Sequence, residues 1–173
     1  MPGRTPAAAR DAFLSPLHQA ISCVTNAQFI RSGGQQPGDD LEALTLSREP
    51  LQLRSAVPGG LQLRIRHRFR LVQESRSDWH VSTAAYWYRL DDDAGRELAA
   101  WHWHPQSRVV YPHAHVSGTP FGRLAHLPTG RVSIESVLRL LIGDLGVPAR
   151  RADYAEVLDA AERAFIEHRR WHA

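Results

Sequence analysis

The chain has 173 residues, 43% of them apolar and 23% charged, and a formal net charge of +3. That length suits one domain with a real hydrophobic core and excludes a wholly disordered or fibrous chain. The single cysteine, Cys23, excludes an intrachain disulfide and a cysteine-built zinc ribbon, and no apolar run approaches the ~20 residues of a membrane span.

Residues 1–19 read as a polar N-terminal arm, or a short helix around Ala7–Leu14 stopped by Pro16, and residues 20–173 as a single α+β domain. A mixed run from Ile21 to Ile30 suggests a first strand, and the glycine- and aspartate-rich stretch from Arg31 to Asp40 a loop. The runs Leu41–Leu46 and Leu51–Ala56 are short and weakly patterned. From Leu61 the chain alternates: Leu61, Leu63, Ile65, His67, Phe69 and Leu71 share one face, and Gln62, Arg64, Arg66, Arg68 and Arg70 share the other. That period of two predicts a half-buried strand. Strands over Trp79–Leu90, Glu97–His104 and Val109–Ser117 follow, the first two joined by an Asp91–Gly95 hairpin turn. Beyond residue 130 the period becomes 3.6. Ser133 predicts an N-cap, Gly146 and Pro148 end that helix, and Asp153 with Glu156 forms the capping-box pattern of another. The fold expected is an antiparallel meander of about five strands with two C-terminal helices packed on one face.

Two features carry chemistry. All 21 basic residues are arginine, whose flat donor forks suit phosphates and carboxylates. A GC-rich genome accounts for that bias as well. Histidines crowd into WHWH at 101–104 and PHAH at 112–115, with His126 beyond. Residues two apart on a strand share a face. A register whose facing numbers sum to 217 sets His104 opposite His113, His102 opposite His115 and Pro105 opposite Pro112. Four imidazoles would then make a rectangle of about 5 Å by about 7 Å.

Three readings compete for that rectangle. In one, the histidines hold a transition metal. In the second, they perform metal-free acid–base cleavage of RNA through its 2′-hydroxyl, which needs a base, an acid and a phosphate clamp. In the third, they are satisfied core or interface residues. No Asp or Glu occurs between Glu97 and Glu135, while Arg108, Arg123 and Arg131 make the local field positive. Backbone carbonyls and the hydroxyls of Tyr111, Ser117 and Thr119 are the acceptors on offer to orient a ligand. That balance favours the metal-free reading, with no stoichiometric metal and no cofactor. Arg64, Arg66, Arg68 and Arg70 repeat about every 6.6–6.8 Å, close to the phosphate spacing of an extended single strand, although a solvated sheet face looks the same. Trp79, Trp87, Trp101 and Trp103 offer rings for base stacking, or core. Thr129, Arg131 and the first amides of the Ser133 helix suggest an anion seat.

The strand order, the Pro112-His113-Ala114-His115 segment and the following helix resemble the small TumE-like toxins of bacterial toxin–antitoxin pairs, over roughly Leu61–Leu145. The chain departs from them in its longer ends and its extra Trp101-His102-Trp103-His104. The arrangement from WHWHP through YPHAH to HLPTGRVS also resembles a family of GC-rich, actinobacterial-type proteins. The resemblance implies a conflict or stress role, an RNA target and an antitoxin-like protein partner. The function expected is a histidine-dependent, cytoplasmic, RNA-directed endonuclease. His102 and His115 are its acid–base pair, His104 and His113 their support, and Arg131 its clamp. Arg64, Arg66, Arg68, Arg70, Arg108, His126 and Thr129 contact substrate. The alternatives are a metal-dependent enzyme on the same histidines and a non-enzymatic binding module, either an antitoxin or an adaptor.

Overall fold

Thr5 caps a 17-residue helix, α1 (Pro6–Ser22), by accepting the Ala8 N–H at 3.1 Å, and Pro6 occupies the first turn, where no amide donor is needed. The computed structural model describes residues 3–33, 41–56, 58–118, 125–168 and 170–171. Thr119, Arg123 and residues 34–40 of the expected loop lie outside them. Of the two alternatives for residues 1–19 the helix is the one formed, longer than expected, and α1 is part of the core. Pro16 lies inside the helix and does not end it. The lost hydrogen bond and ring clash cost about 3 kcal/mol. Burial of Leu17 and Ile21, at about 1.5–3 kcal/mol each, together with Ala9 and Ala20, offsets that cost. The strand expected from Ile21 therefore starts only at Phe29.

Among the described residues the sheet has eight antiparallel strands, not about five: β1 (Phe29–Gly33), β2 (Leu41–Leu46), β3 (Leu51–Leu53), β4 (Leu61–Ser75), β5 (Asp78–Asp91), β6 (Glu97–Trp103), β7 (His113–Val116) and β8 (Leu127–Pro128). They run β1-β2-β4-β5-β6-β7-β8, with β3 also paired to β4. A two-residue β9 (Arg170–Trp171) pairs with β5 in parallel. The long β4–β5 hairpin is its centre. Its apolar side, Leu61, Leu63, Ile65 and Phe69, is buried, while Arg64, Arg66 and Arg70 on the other side are exposed, as the alternation predicts. At the tip between β5 and β6, Gly95 turns with φ of 75°, and its N–H reaches the Asp92 carbonyl.

Ser133 caps α2 (Ile134–Gly143), which ends three residues short of Gly146, and α3 (Tyr154–His168) follows. The helix layer thus has three members instead of two. Val137, Leu138 and Leu141 of α2 and Leu158 and Ala161 of α3 join Leu17 and Ile21 over Leu44, Phe69, Tyr86, Tyr88 and Trp103 of the sheet. Phe13 of α1 lies between, its ring 5.2 Å from Phe69 and 6.3 Å from Phe165. A bidentate bond from Arg10 to the buried Glu42 of β2, joined by Arg31 at 3.0 Å, fastens α1 to the sheet.

Candidate active site on the open face of the sheet

Directly facing residues of antiparallel strands project to the same side. Tyr86 faces Trp103, and both are buried under the helices; Arg66 faces Trp87, which faces His102, which faces His113. The arginine stripe and the histidines therefore share the face on which no described helix packs. The expected face is kept, but the register is not. Facing residues of β6 and β7 sum to 215, so His102 opposes His113 and His115 opposes Ala100. A slip of two leaves every side chain on its face and skews the rectangle. His126, just before β8, joins as a fifth ring.

The rings pack in series. His102 lies 5.5 Å from His113 and 5.1 Å from His115, which are 5.2 Å apart, and His126 sits 4.8 Å from His113 and 4.7 Å from His115. His104, just past the end of β6, is 5.4 Å from His113 and stacks on Trp87 at 5.5 Å and 11°. His113 and His115 are buried, His102 and His104 half-buried and His126 exposed. One ligand atom from each of His102, His113 and His115 falls within 4.8 Å of the other two. The Nδ1 of His113 stands 3.0 Å from the Tyr111 carbonyl, which only accepts, so Nδ1 carries the proton and Nε2 the lone pair. Burial, then the other imidazoles, pulls His102 down to about 4. Burial is also the first cause of the lowered His113 value, with the Tyr111 carbonyl opposing it. At pH 7 these two rings are neutral and serve as bases or ligands, not as resting acids.

The arginines are not equivalent. Arg64 is bound to the buried Asp91 at 3.1 Å, and Arg89 holds the same carboxylate and lies 3.5 Å from Glu97. Among the described residues Arg66, Arg68 and Arg70 have no carboxylate partner. Arg66 lies over the Trp87 ring at 5.8 Å. Arg68 and Arg70 line a surface cavity of about 290 Å³ with Trp87, His104 and Pro105. Beyond Trp87 a second cavity, of about 370 Å³, reaches from Arg48 and Arg66 to His102. Asp91, expected in the hairpin turn, ends β5 and pairs with Arg64 and Arg89. Its role depends on the register of a long hairpin, which spacing alone does not reveal.

Arg131 and the start of α2 lie off the histidine face. Arg131 stacks over Trp103 at 4.4 Å, and Trp103 points to the helix side, away from the face that carries the histidines. The anion seat at the Ser133 helix is taken: Glu162 of α3 accepts from Ser133 at 3.0 Å and Ser136 at 3.3 Å, and Arg139 holds it. Thr129 gives its N–H to the Pro112 carbonyl, tying β8 to β7. Arg108 is exposed in the loop between β6 and β7. Of Trp79, Trp87, Trp101 and Trp103, Trp87 is the one placed to meet a ligand beside the histidines. The chain matches no family model, no curated protein and no solved structure.

Proposed function

We propose that the open face holds a single-stranded RNA and cleaves it, the unpaired arginines gripping phosphates and the histidine cluster supplying the chemistry. The observation that carries this reading is the shared face: Arg66, Arg68 and Arg70 lead past Trp87 to five histidines, and among the described residues the nearest carboxylates, Glu49 and Glu97, line the cavity beyond Trp87 and not the ring cluster. Every second strand residue advances about 6.6–6.8 Å, so three guanidiniums match three successive phosphates of an extended strand. Trp87, already stacked with His104, offers a ring to a base.

RNA brings its own nucleophile. A neutral imidazole, His102 or His115, takes the 2′-hydroxyl proton, the oxygen attacks the adjacent phosphorus, and the bond to the 5′-oxygen breaks. The leaving oxygen takes a proton from a second group of the cluster. Arg68 replaces Arg131 as the clamp on the non-bridging oxygens. A toxin-like setting with an antitoxin-like protein covering this face belongs to the same proposal, as the Pro-His-x-His resemblance implies.

The test is incubation with a single-stranded RNA and with the same strand carrying 2′-deoxyribose throughout. The expected result is cleavage of the first only, lost in His115→Ala. Binding should weaken with salt with a slope of log K on log salt near −2, from about 0.7 for each of three phosphates. Binding of both strands without cleavage of either would leave a binding module and remove the enzyme.

A further inference from the structure

We propose that His102, His113 and His115 together bind one divalent transition-metal ion of the zinc class. This reverses the metal-free reading favoured by the sequence, and geometry is the reason. The three ligand atoms lie within 4.8 Å of one another, against about 3.3 Å between nitrogens around a tetrahedral ion with bonds of about 2.0–2.1 Å. The difference is within reach of small ring rotations, and His102 is only half-buried. Two of the three rings belong to one strand and the third directly faces one of them, so the backbone holds their spacing.

Orientation supports the same conclusion. A histidine that ligates through Nε2 generally donates Nδ1–H to an acceptor, and Tyr111 supplies that acceptor for His113 at 3.0 Å. A backbone carbonyl does the work for which the sequence offers no carboxylate. Among the described residues His102 makes no hydrogen bond, and its ring lies 5.8, 5.5 and 5.1 Å from those of His104, His113 and His115. That contrasts with His67, a structural histidine with hydrogen-bond partners at both ring nitrogens. Three neutral ligands leave the ion its full double charge and a fourth position open, beside His126 and towards His104. Arg68 and Arg70 repel a cation, but they line the cavity beyond His104, outside the three-ring cluster. Cys23 is buried and makes its sulfur contacts with the Gln19 and Tyr154 carbonyls, so no thiolate competes.

The ion would take the lone pairs of His102 and His115, so in the metal-bound protein the base of the cleavage proposed above would be His104 or His126 instead; as the Lewis acid of that cleavage the ion rests on that reading, and as a bound ion it does not. The experiment uses untagged full-length protein, stripped with chelator, dialysed free of it and titrated with zinc sulfate by calorimetry, then with cobalt chloride by visible absorption. About one ion per chain is expected, with the intense d–d bands of a four-coordinate cobalt site. His102→Ala, and His113→Gln as a less disruptive change, should each weaken zinc by more than about 100-fold while circular dichroism stays unchanged. His18→Ala, an exposed histidine on α1, should not alter it. Zinc that binds equally to wild type and to the His102→Ala/His113→Gln double variant, or less than about a fifth of an ion per chain in wild type, overturns the site. Zinc binding without RNA cleavage keeps the site and removes the proposed function. Cleavage by protein that binds no metal does the reverse.

Discussion

The two faces of the sheet use the same residue type in opposite ways. Under the helices, His67 is 1% exposed and hydrogen-bonded at both ring nitrogens, to the Tyr88 hydroxyl at 2.9 Å and the Thr83 hydroxyl at 3.0 Å. Burial takes it down to about 3, so it stays neutral. On the open face five histidines meet mainly one another, at the edge of solvent. A buried polar group is tolerated when its partners are built in. Among the described residues His102 makes no hydrogen bond, and a ring whose nitrogens stay open in this way is arranged for something that arrives. The lesson is that a histidine's role follows from what its nitrogens face, and burial alone does not separate the two cases, since His113 is also 1% exposed.

The largest expected effect breaks this contrast directly. His67→Ala opens a cavity and strips partners from Tyr88 and Thr83, at a cost of about 3–4 kcal/mol in urea unfolding. His102→Ala, half-buried and without such partners, should cost less than about 1 kcal/mol while removing RNA cleavage. Equal losses of stability from both would mean that the open-face histidines are also structural.

A second acid–base group sharpens the helix side. Glu135 of α2 is fully buried, with its own backbone N–H and the Ser133 hydroxyl near enough to favour its charged form. Burial raises it from 4.5 to about 7, outweighing its own backbone N–H. The unfolded chain ionises near 4.5 and the folded chain near 7, so this group's contribution is intact below pH 4.5 and declines as pH rises to 7. The loss totals about 3 kcal/mol. Stability measured at pH 5 and pH 8 should therefore fall with pH in the wild type, and fall less in Glu135→Gln. An identical slope in both proteins would show that the carboxyl ionises without penalty.

What was legible in the sequence follows the strength of the local pattern. The alternation from Leu61 to Leu71 places its residues on the right faces because one face is buried along most of its length. The N-cap at Ser133 was readable because capping is local. Short strands such as Leu51–Leu53 and Leu127–Pro128 have too few residues to show a period, and tertiary pairing alone makes them strands. Helix α1 was hidden by Pro16, whose local cost is outweighed by packing that only the fold supplies. The histidine face was legible because a two-residue slip preserves it. The actual neighbours, His126 and the Tyr111 carbonyl included, depend on a register that equal His-x-His spacings on both strands leave open.

The attachment of α1 makes the next test. Arg10→Ala removes the bidentate partner of a carboxylate that is 3% exposed, leaving only the half-exposed Arg31 beside it. A buried charge stripped of one partner costs several kcal/mol, and the remaining arginine limits the loss to about 2 kcal/mol. The whole chain should lose that stability with zinc affinity unchanged, because Glu42 points to the helix side. A parallel drop in zinc affinity would mean that the two faces are coupled through β2 and β4.

The smallest effect separates two arginines that the sequence treats alike. Arg131 lies over Trp103 on the helix side, and Arg68 lines the cavity beside His104 on the open side. A guanidinium over an indole at an exposed site contributes about 0.5–1 kcal/mol. Arg131→Ala should therefore lower the unfolding free energy by roughly that amount and leave RNA affinity and cleavage as they were. Arg68→Ala should do the opposite: stability within about 0.5 kcal/mol of wild type, and a salt slope for RNA binding reduced by about 0.7, the share of one phosphate. The slope is the informative readout, because a general loosening of the fold weakens binding at every salt concentration without changing how many phosphates are held. If Arg131→Ala reduces the slope and Arg68→Ala does not, the RNA runs over the helix-side edge near α2, and the open face loses its claim to the substrate.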